Sequence, residues 1–575
     1  MWERPRFFSL VSGLARAARE TPDKVAIHYR VWHGTGASLR VDAWQSATYR
    51  EFWQRVCTIA HGVATAGAAK GDVCLVMWLP PSQMDALALM FALLVKGLVI
   101  MWLDPRTMTF DGLLGNVEKV APKVMIAGRL VKSVFRIVQV LRRRVRCIKL
   151  IVGPKLLQLK DAPPLLEHVP MELAEDDGGL VVFTTGSTGP PKAVRLTHRC
   201  LAAQLDAYQE LAQGFELGGP GDLVACHSAL NFNAFDLALG NTTVTLPDPA
   251  NPKNIRPEFL VDIDTRFQAV LLTGSRVVFE NLAAHGERVK SASFLASLRL
   301  GFAGGAPVSP LLHERVRKAI PSLKELFSAY GATEGLPLLI AGSRETWERE
   351  GYRARSEQRG DGVALGRACP HVVLRVLRLD AMQSLDAAAA PGTRAWDDAW
   401  EAAPDEVGEL VVDSPSVSRE YVGDARATSA SKLVRSGGVV VMHRTGDLVC
   451  RDADGALWMV GRASQAVKLD AGWVHPVCIE SLFEGFPGVR RCALVGPKDA
   501  KGRVRSATLV VLANSLFSAA DARVKVRASK WSWVDLDVVV YTGAKEFPMD
   551  PRHNSKIRRE LLQRWVETQQ RTDGL

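Results

Sequence analysis

The stretch VVFTTGSTGPPKAV, residues 181–194, reads as a β-strand that runs into a loop. Apolar Val181, Val182 and Phe183 lead into Thr184, Thr185, Gly186, Ser187, Thr188 and Gly189, and Lys192 follows two prolines. Glycines let a backbone approach phosphate closely, free amides and hydroxyls donate hydrogen bonds, and a lysine adds positive charge. This is not a Walker loop, which ends in Gly-Lys-Ser/Thr; here Lys192 lies between Pro191 and Ala193. A strand that delivers such a loop suits a parallel sheet, where ligands gather outside the carboxyl ends of the strands.

The sequence on either side extends that pattern. Residues 73–79 read as a strand, Ser82 as a cap, 83–96 as a helix stopped by Gly97, and 98–103 as a buried strand. The apolar run 86–103 is long enough to suggest a membrane span, but Lys96-Gly97 interrupts it and favours a βαβ unit. Residues 269–273, 298–303 and 325–329 repeat the motif of a short apolar run, a small residue and a helical pattern. Residues 384–406, rich in Ala, Asp and Pro, read as an exposed insertion, while 408–412 and 454–462 read as strands of a β-rich subdomain. The predicted fold is α/β. Residues 1–463 form a large domain with parallel-sheet subdomains and a β-rich one, and 464–575 form a small α+β domain.

The 575 residues are 47% hydrophobic and 23% charged, the composition of a folded chain with a large core. The net charge of +11 admits nucleic acid, anionic lipid or an anionic small molecule as partner. No helix-turn-helix, zinc-finger or aromatic RNA-binding pattern supports nucleic acid. The basic residues are dispersed except in KSVFRIVQVLRRRVRCIK, residues 132–149, which reads either as a solvated helix face or as a surface for anionic lipid. Nine cysteines without CxxC or zinc spacing, and an N-terminus without signal-peptide character, predict a cytoplasmic protein with reduced thiols.

Four more motifs follow in order. GGAP spans Gly304, Gly305, Ala306 and Pro307, and YGATE spans Tyr330, Gly331, Ala332, Thr333 and Glu334; each comes after a strand. HRTGDL, residues 443–448, carries Asp447, with Gly461-Arg462 beyond it. FPMDPRHNSKIRRE, residues 547–560, carries Lys556. A single acidic residue such as Glu334 suits Mg²⁺, which prefers one or two carboxylates plus phosphate oxygens. A carboxylate such as Asp447 suits a vicinal diol.

Over residues 50–560 these motifs together resemble the adenylate-forming superfamily of acyl-CoA synthetases, peptide-synthetase adenylation domains and luciferases. The resemblance implies ATP and Mg²⁺, with the 184–192 loop on the β- and γ-phosphates and GGAP walling the adenine pocket. It further implies that Tyr330 stacks on adenine, Thr333 contacts phosphate, Thr188 and Glu334 hold the metal, Asp447 binds the ribose and Arg462 contacts the nucleotide. Lys192 and Lys556 become catalytic, with Lys556 on a mobile C-terminal domain bridging the attacking carboxylate and the α-phosphate. Ser464 stands where the family pivot is usually an aspartate, and Ser555 replaces the usual glycine before the lysine.

DPRHNSKI, FDLALG (residues 235–240) and YGATEGLP resemble the olefin-biosynthesis branch, the β-lactone synthetases. That implies a long-chain β-hydroxy acid whose own hydroxyl attacks the acyl-AMP. Transfer to CoA is the alternative, and a nucleotide- or acyl-binding relative without turnover is a third reading. Phe232, Phe235 and Leu237 either line an acyl tunnel or form ordinary core.

Overall fold

Local chemistry dictates the first βαβ unit of the computed structural model. Strand Val73–Met77 leads to helix Gln83–Val95, whose N-cap Ser82 accepts a hydrogen bond from the Asp85 amide. At the other end Gly97, with φ +65°, donates to Leu94 while Leu98 donates to Leu93, the paired bonds of a Schellman stop. Strand Val99–Trp102 then pairs in parallel with Val73–Met77. Ala86 to Val95 are all buried, so the helix is apolar all round because protein surrounds it. Among the described residues no helix is long and apolar enough to cross a membrane.

The structure describes residues 8–33, 40–78, 80–103, 110–128, 143, 149–157, 173–184, 191–213, 215, 221–246, 255–349, 351–387, 394–435, 441–498, 502–504, 506–543, 546–550 and 556–572. Most of the basic stretch 132–149, and loop residues 185–190, lie outside these. The lipid-contact expectation and the placement of Thr185, Gly186, Ser187, Thr188 and Gly189 therefore lie outside the described residues.

Two large sheets and a β-rich layer carry the first 462 residues. The six-stranded sheet runs Ala193–Thr197, Gly178–Phe183, Val99–Trp102, Val73–Met77, Val124–Ala127 and Lys149–Val152, parallel except at its first pair. The nine-stranded sheet has a parallel centre that includes Val224–His227, Leu271–Ser275, Leu300–Gly304 and Glu325–Ala332. The third sheet is largely antiparallel and includes Val373–Arg378, Val407–Asp413, Val441–Arg451 and Leu457–Arg462. The eight described cysteines are all free.

Most described residues of the segment 384–406 are exposed, as expected of an insertion, and the departure is Trp396. Trp396 is buried against Leu377, Val411, Leu433 and Met442, and Arg394–Ala395 pairs with Leu433 and Val434. One large indole buries enough apolar surface to anchor a stretch whose remaining composition is that of a loop.

Beyond the short turn Ala463–Gln465, a hairpin, the helix Pro476–Ser481 and a three-stranded sheet (Val489–Val495, Ala507–Ala513, Leu536–Val540) build the C-terminal part. It touches the rest through Arg276–Glu484 (2.9 Å), Ser309 donating to Glu484 (2.8 Å), and Trp531 Nε1 donating to the Gly360 carbonyl (2.8 Å).

Candidate functional site

Because Leu300–Gly304 and Glu325–Ala332 are parallel neighbours with Gly304 opposite Ala329, GGAP and YGATE leave the sheet side by side. Gly305 has φ +87°, a conformation glycine adopts without a side-chain penalty. Beyond it Ala306 is half-buried, and the exposed Pro307 accepts a hydrogen bond at its carbonyl from Arg276 Nη1 (2.9 Å). In the second motif Gly331 is exposed, Ala332 and Thr333 are half-buried, and Glu334 is buried.

The β-rich sheet meets these turns. Tyr330 donates its hydroxyl to Asp447 Oδ2 (2.7 Å), and Arg462, opposite Asp447 on the next strand, brings Nε within 2.8 Å of Oδ1. Asp447 holds the Arg462 guanidinium firmly charged. Despite that ion pair, the buried Oδ1 receives no directed hydrogen bond among the described residues and keeps acceptor capacity. The rest of HRTGDL presents this carboxylate. Gly446 has φ +72° and donates to Glu409 Oε1 (2.9 Å), and Thr445 Oγ1 accepts from the Asp447 amide (3.1 Å). Arg444 pairs with Glu409 beneath (2.6 Å).

A second group adjoins the first. Tyr421 donates to Glu334 Oε1 (2.6 Å), and Lys192 Nζ lies 4.8 Å from the centre of the Tyr421 ring. Thr184 and Lys192 are tied together on either side of residues 185–190: the Thr184 amide donates to the Lys192 carbonyl, and the Lys192 amide to Thr184 Oγ1, both at 3.0 Å. Lys432 is buried, 5.7 Å from the same Tyr421 ring, with Nζ 3.1 Å from Ser418 Oγ and 3.3 Å from His443 Nδ1. Burial pushes the Lys432 ammonium down to about 7, against the opposing pull of Glu334. Burial and the Lys432 charge together push His443 well below the usual histidine value.

The structure thus joins Lys192, Tyr330, Glu334, Asp447 and Arg462, which are far apart in sequence, in two linked groups. Sequence reading missed Tyr421, Lys432 and His443. His443 lies inside a quoted motif, whereas Lys432, in SASKLVR, has the neighbours of a surface lysine. Lys556 is exposed; its amide donates to Asp550 Oδ1 (2.7 Å) and its carbonyl accepts from the Asp550 amide (2.8 Å). The next residue, Ile557, packs on the C-terminal sheet, so Lys556 belongs to that layer while the other five meet without it. Phe235 and Leu237 are buried in the main core, and Phe232 is half-buried against Tyr208 and Phe235.

The donor set fits a nucleotide with a metal. An under-used buried carboxylate oxygen, a half-buried tyrosine ring and a lysine tied to Thr184 suit ribose, base and phosphate respectively. Among the described residues no cluster of three metal-binding side chains exists, so Mg²⁺ would be held by Glu334 together with phosphate oxygens.

Such a site, at the carboxyl ends of parallel strands and walled by a β-rich layer, is that of an adenylate-forming enzyme. The chain belongs to the AMP-binding enzyme family, whose model matches residues 14–422. It is 32% identical to an olefin beta-lactone synthetase of Stenotrophomonas maltophilia over 577 residues, 98% of each chain. It is 29% identical to the enzyme of the same name from Xanthomonas campestris pv. campestris, again over 98% of each. A feruloyl-CoA synthase of an Amycolatopsis species is 27% identical, over 86% of this chain and 87% of that one. The fold superposes on ATP-bound MatB from Rhodopseudomonas palustris with TM-score 0.73 at 19% identity, covering 97% and 99% of the two chains. It also superposes on the O-succinylbenzoate Coenzyme A synthetase of Bacillus subtilis in complex with ATP and magnesium, with TM-score 0.70 at 17% identity, covering 96% and 99%.

Proposed function

We propose that this enzyme adenylates a long-chain fatty or β-hydroxy fatty acid and that, with a β-hydroxy acid, it closes a β-lactone. The observation that carries the reading is the meeting of Tyr330, Asp447 and Arg462 beside Glu334, Tyr421 and Lys192. A substrate carboxylate oxygen attacks the α-phosphorus, the bridging P–O bond to the β-phosphate breaks, and pyrophosphate leaves. Two anions must meet, so the protein's task is chiefly positioning and charge neutralisation.

In this reading Tyr330 stacks on adenine beside GGAP, Asp447 receives the ribose hydroxyls, Arg462 steadies the nucleotide and Thr333 contacts phosphate. The 184–192 loop with Lys192 holds the β- and γ-phosphates. Glu334 and Thr188, with phosphate oxygens, would hold Mg²⁺, which would supply positive charge against the phosphates. Residues 464–575 act as a mobile domain, pivoting near Ser464, that delivers Lys556 to the carboxylate and the α-phosphate. In the second step the β-hydroxyl oxygen attacks the acyl carbon, the acyl–AMP bond breaks, AMP leaves and the hydroxyl proton passes to solvent.

The likeness to olefin beta-lactone synthetases along nearly the whole chain favours lactone closure. The likeness to a feruloyl-CoA synthase favours transfer to CoA as the second reading. The test supplies ATP and a panel of fatty and β-hydroxy fatty acids, with and without CoA, and measures pyrophosphate and products. Lactone plus AMP without CoA is expected; an acyl-AMP that turns over only with CoA overturns lactone closure, and absence of pyrophosphate with every acid overturns adenylation. Lys556→Ala is expected to lose about 10²–10³ in acid-dependent pyrophosphate release while still binding ATP. Equal rates in the mutant and the parent enzyme remove Lys556 from the mechanism.

A further inference from the structure

Lys432 begins the strand Lys432–Val434, and its neighbour Leu433 enters the apolar cluster around Trp396. Side chains alternate across a strand, so Lys432 faces the other way, into the Glu334 corner. It is only 1% exposed. Among the described residues no carboxylate lies within ion-pair distance of its ammonium; the contacts are Ser418 Oγ, His443 Nδ1 and the Tyr421 ring. Burying a cation without an ion pair is costly, and an apolar side chain of similar volume commonly serves stability as well or better.

The two side chains it shares with the site explain its place. Ser418 donates its amide to the Glu334 carbonyl (2.7 Å), and Tyr421 donates its hydroxyl to the Glu334 carboxylate (2.6 Å). Lys432 bonds to the first and lies against the ring of the second. Residues 418–421 therefore grip Glu334 by backbone and side chain, and Lys432 grips both ends of that clamp. Lys192 approaches the same ring at 4.8 Å, so two lysine nitrogens flank one tyrosine whose hydroxyl is aimed at a carboxylate.

We propose that Lys432 is a positioning residue for adenylation, fastening Ser418 and Tyr421 so that Glu334 faces the metal–phosphate group. The role rests on the adenylation reading for its reaction, but not for its test. Lys432→Met keeps the volume and removes the charge. Thermal unfolding is measured without ligand, with ATP plus EDTA, and across a Mg²⁺ titration at fixed ATP, together with acid-dependent pyrophosphate release.

The variant is expected to be at least as stable as the parent without ligand. It should need about tenfold more Mg²⁺ to reach the same ATP-induced stabilisation and release pyrophosphate about tenfold to a hundredfold more slowly, the scale of a small misplacement. Glu334→Gln/Lys432→Met should be no slower than Glu334→Gln alone, because the lysine acts through that carboxylate. A Lys432→Met protein that unfolds several degrees earlier with an unchanged Mg²⁺ requirement overturns the proposal and leaves a packing role. So does a double variant slowed by the full product of the single effects. If the parent binds Mg²⁺ and ATP but releases no pyrophosphate with any acid, the adenylation reading fails, and the Mg²⁺ titration still decides the role of Lys432.

Discussion

Two of the buried polar networks in this enzyme are built on opposite terms. In the first, Asp236 on helix Leu230–Leu239 accepts from Tyr208 (3.0 Å) and Asn241 (3.0 Å) and shares a hydrogen bond with His227. His227 in turn meets Thr273 Oγ1 at 2.9 Å. Both His227 and Asp236 are fully buried, and each ring nitrogen and carboxylate oxygen has a partner. In the second, among the described residues, Lys432 is buried without an ion pair and Asp447 Oδ1 meets Arg462 but lacks a directed hydrogen bond. A satisfied network specifies a fold, whereas one with polar groups to spare beside two strand ends has the chemistry to meet a ligand.

Asp236→Ala should therefore be the most damaging change to folding. It strands three buried polar partners and should cost about 3–5 kcal/mol, read as a lowered urea midpoint. The protein that remains folded should keep its rate of pyrophosphate release. A normal midpoint combined with lost activity would move this network from scaffold to chemistry.

Asp447→Ala should do the converse. Removing a contact of this kind lowers kcat/KM by about 10²–10³, equivalent to about 2.7–4 kcal/mol of transition-state stabilisation. The urea midpoint should change little, because Arg462 is one-third exposed and can turn to water. If ATP affinity and rate persist while the protein unfolds easily, Asp447 is structural and the contrast between the networks fails.

How far the sequence reveals this contrast depends on the length scale of each signal. Ser82 and Gly97 announce the ends of their helix because caps and left-handed stops are local chemistry. GGAP and YGATE are legible as strand-end turns, and their adjacency follows once the two strands pair in parallel. Trp396 is misread because its burial depends on Val411 and Met442, residues distant in the chain. Lys432 is invisible for the same reason, since its burial is created by Ser418, Tyr421 and His443 from other elements. Phe235 and Leu237 are ambiguous as tunnel or core until helix Leu230–Leu239 packs against helix Leu10–Glu20. What tertiary packing alone creates, short motifs do not carry.

Acid sharpens the comparison least but tests both sides of the molecule at once. Burial pushes His313, against the YGATE strand, down to about 3, and His475, just before helix Pro476–Ser481 of the C-terminal part, down to about 4. His313 lies between Ser343 Oγ (2.8 Å) and Ser328 Oγ (2.7 Å), whereas His475 Nδ1 has no hydrogen-bond partner among the described residues. From about pH 6.5 downward the unfolded chain binds a proton at each ring and the native chain does not, so stability falls as pH falls. Each histidine contributes a slope of up to about 1.4 kcal/mol per pH unit, persisting to its own native value. His475→Gln should flatten the urea midpoint between pH 6 and about 4 by one such share. It should leave the slope from His313 in place, and with it the parallel-sheet side that carries YGATE. An unchanged slope in His475→Gln means that this ring takes up its proton in the native state, so that the C-terminal part is wetter than its packing on Trp531 and Gly360 implies.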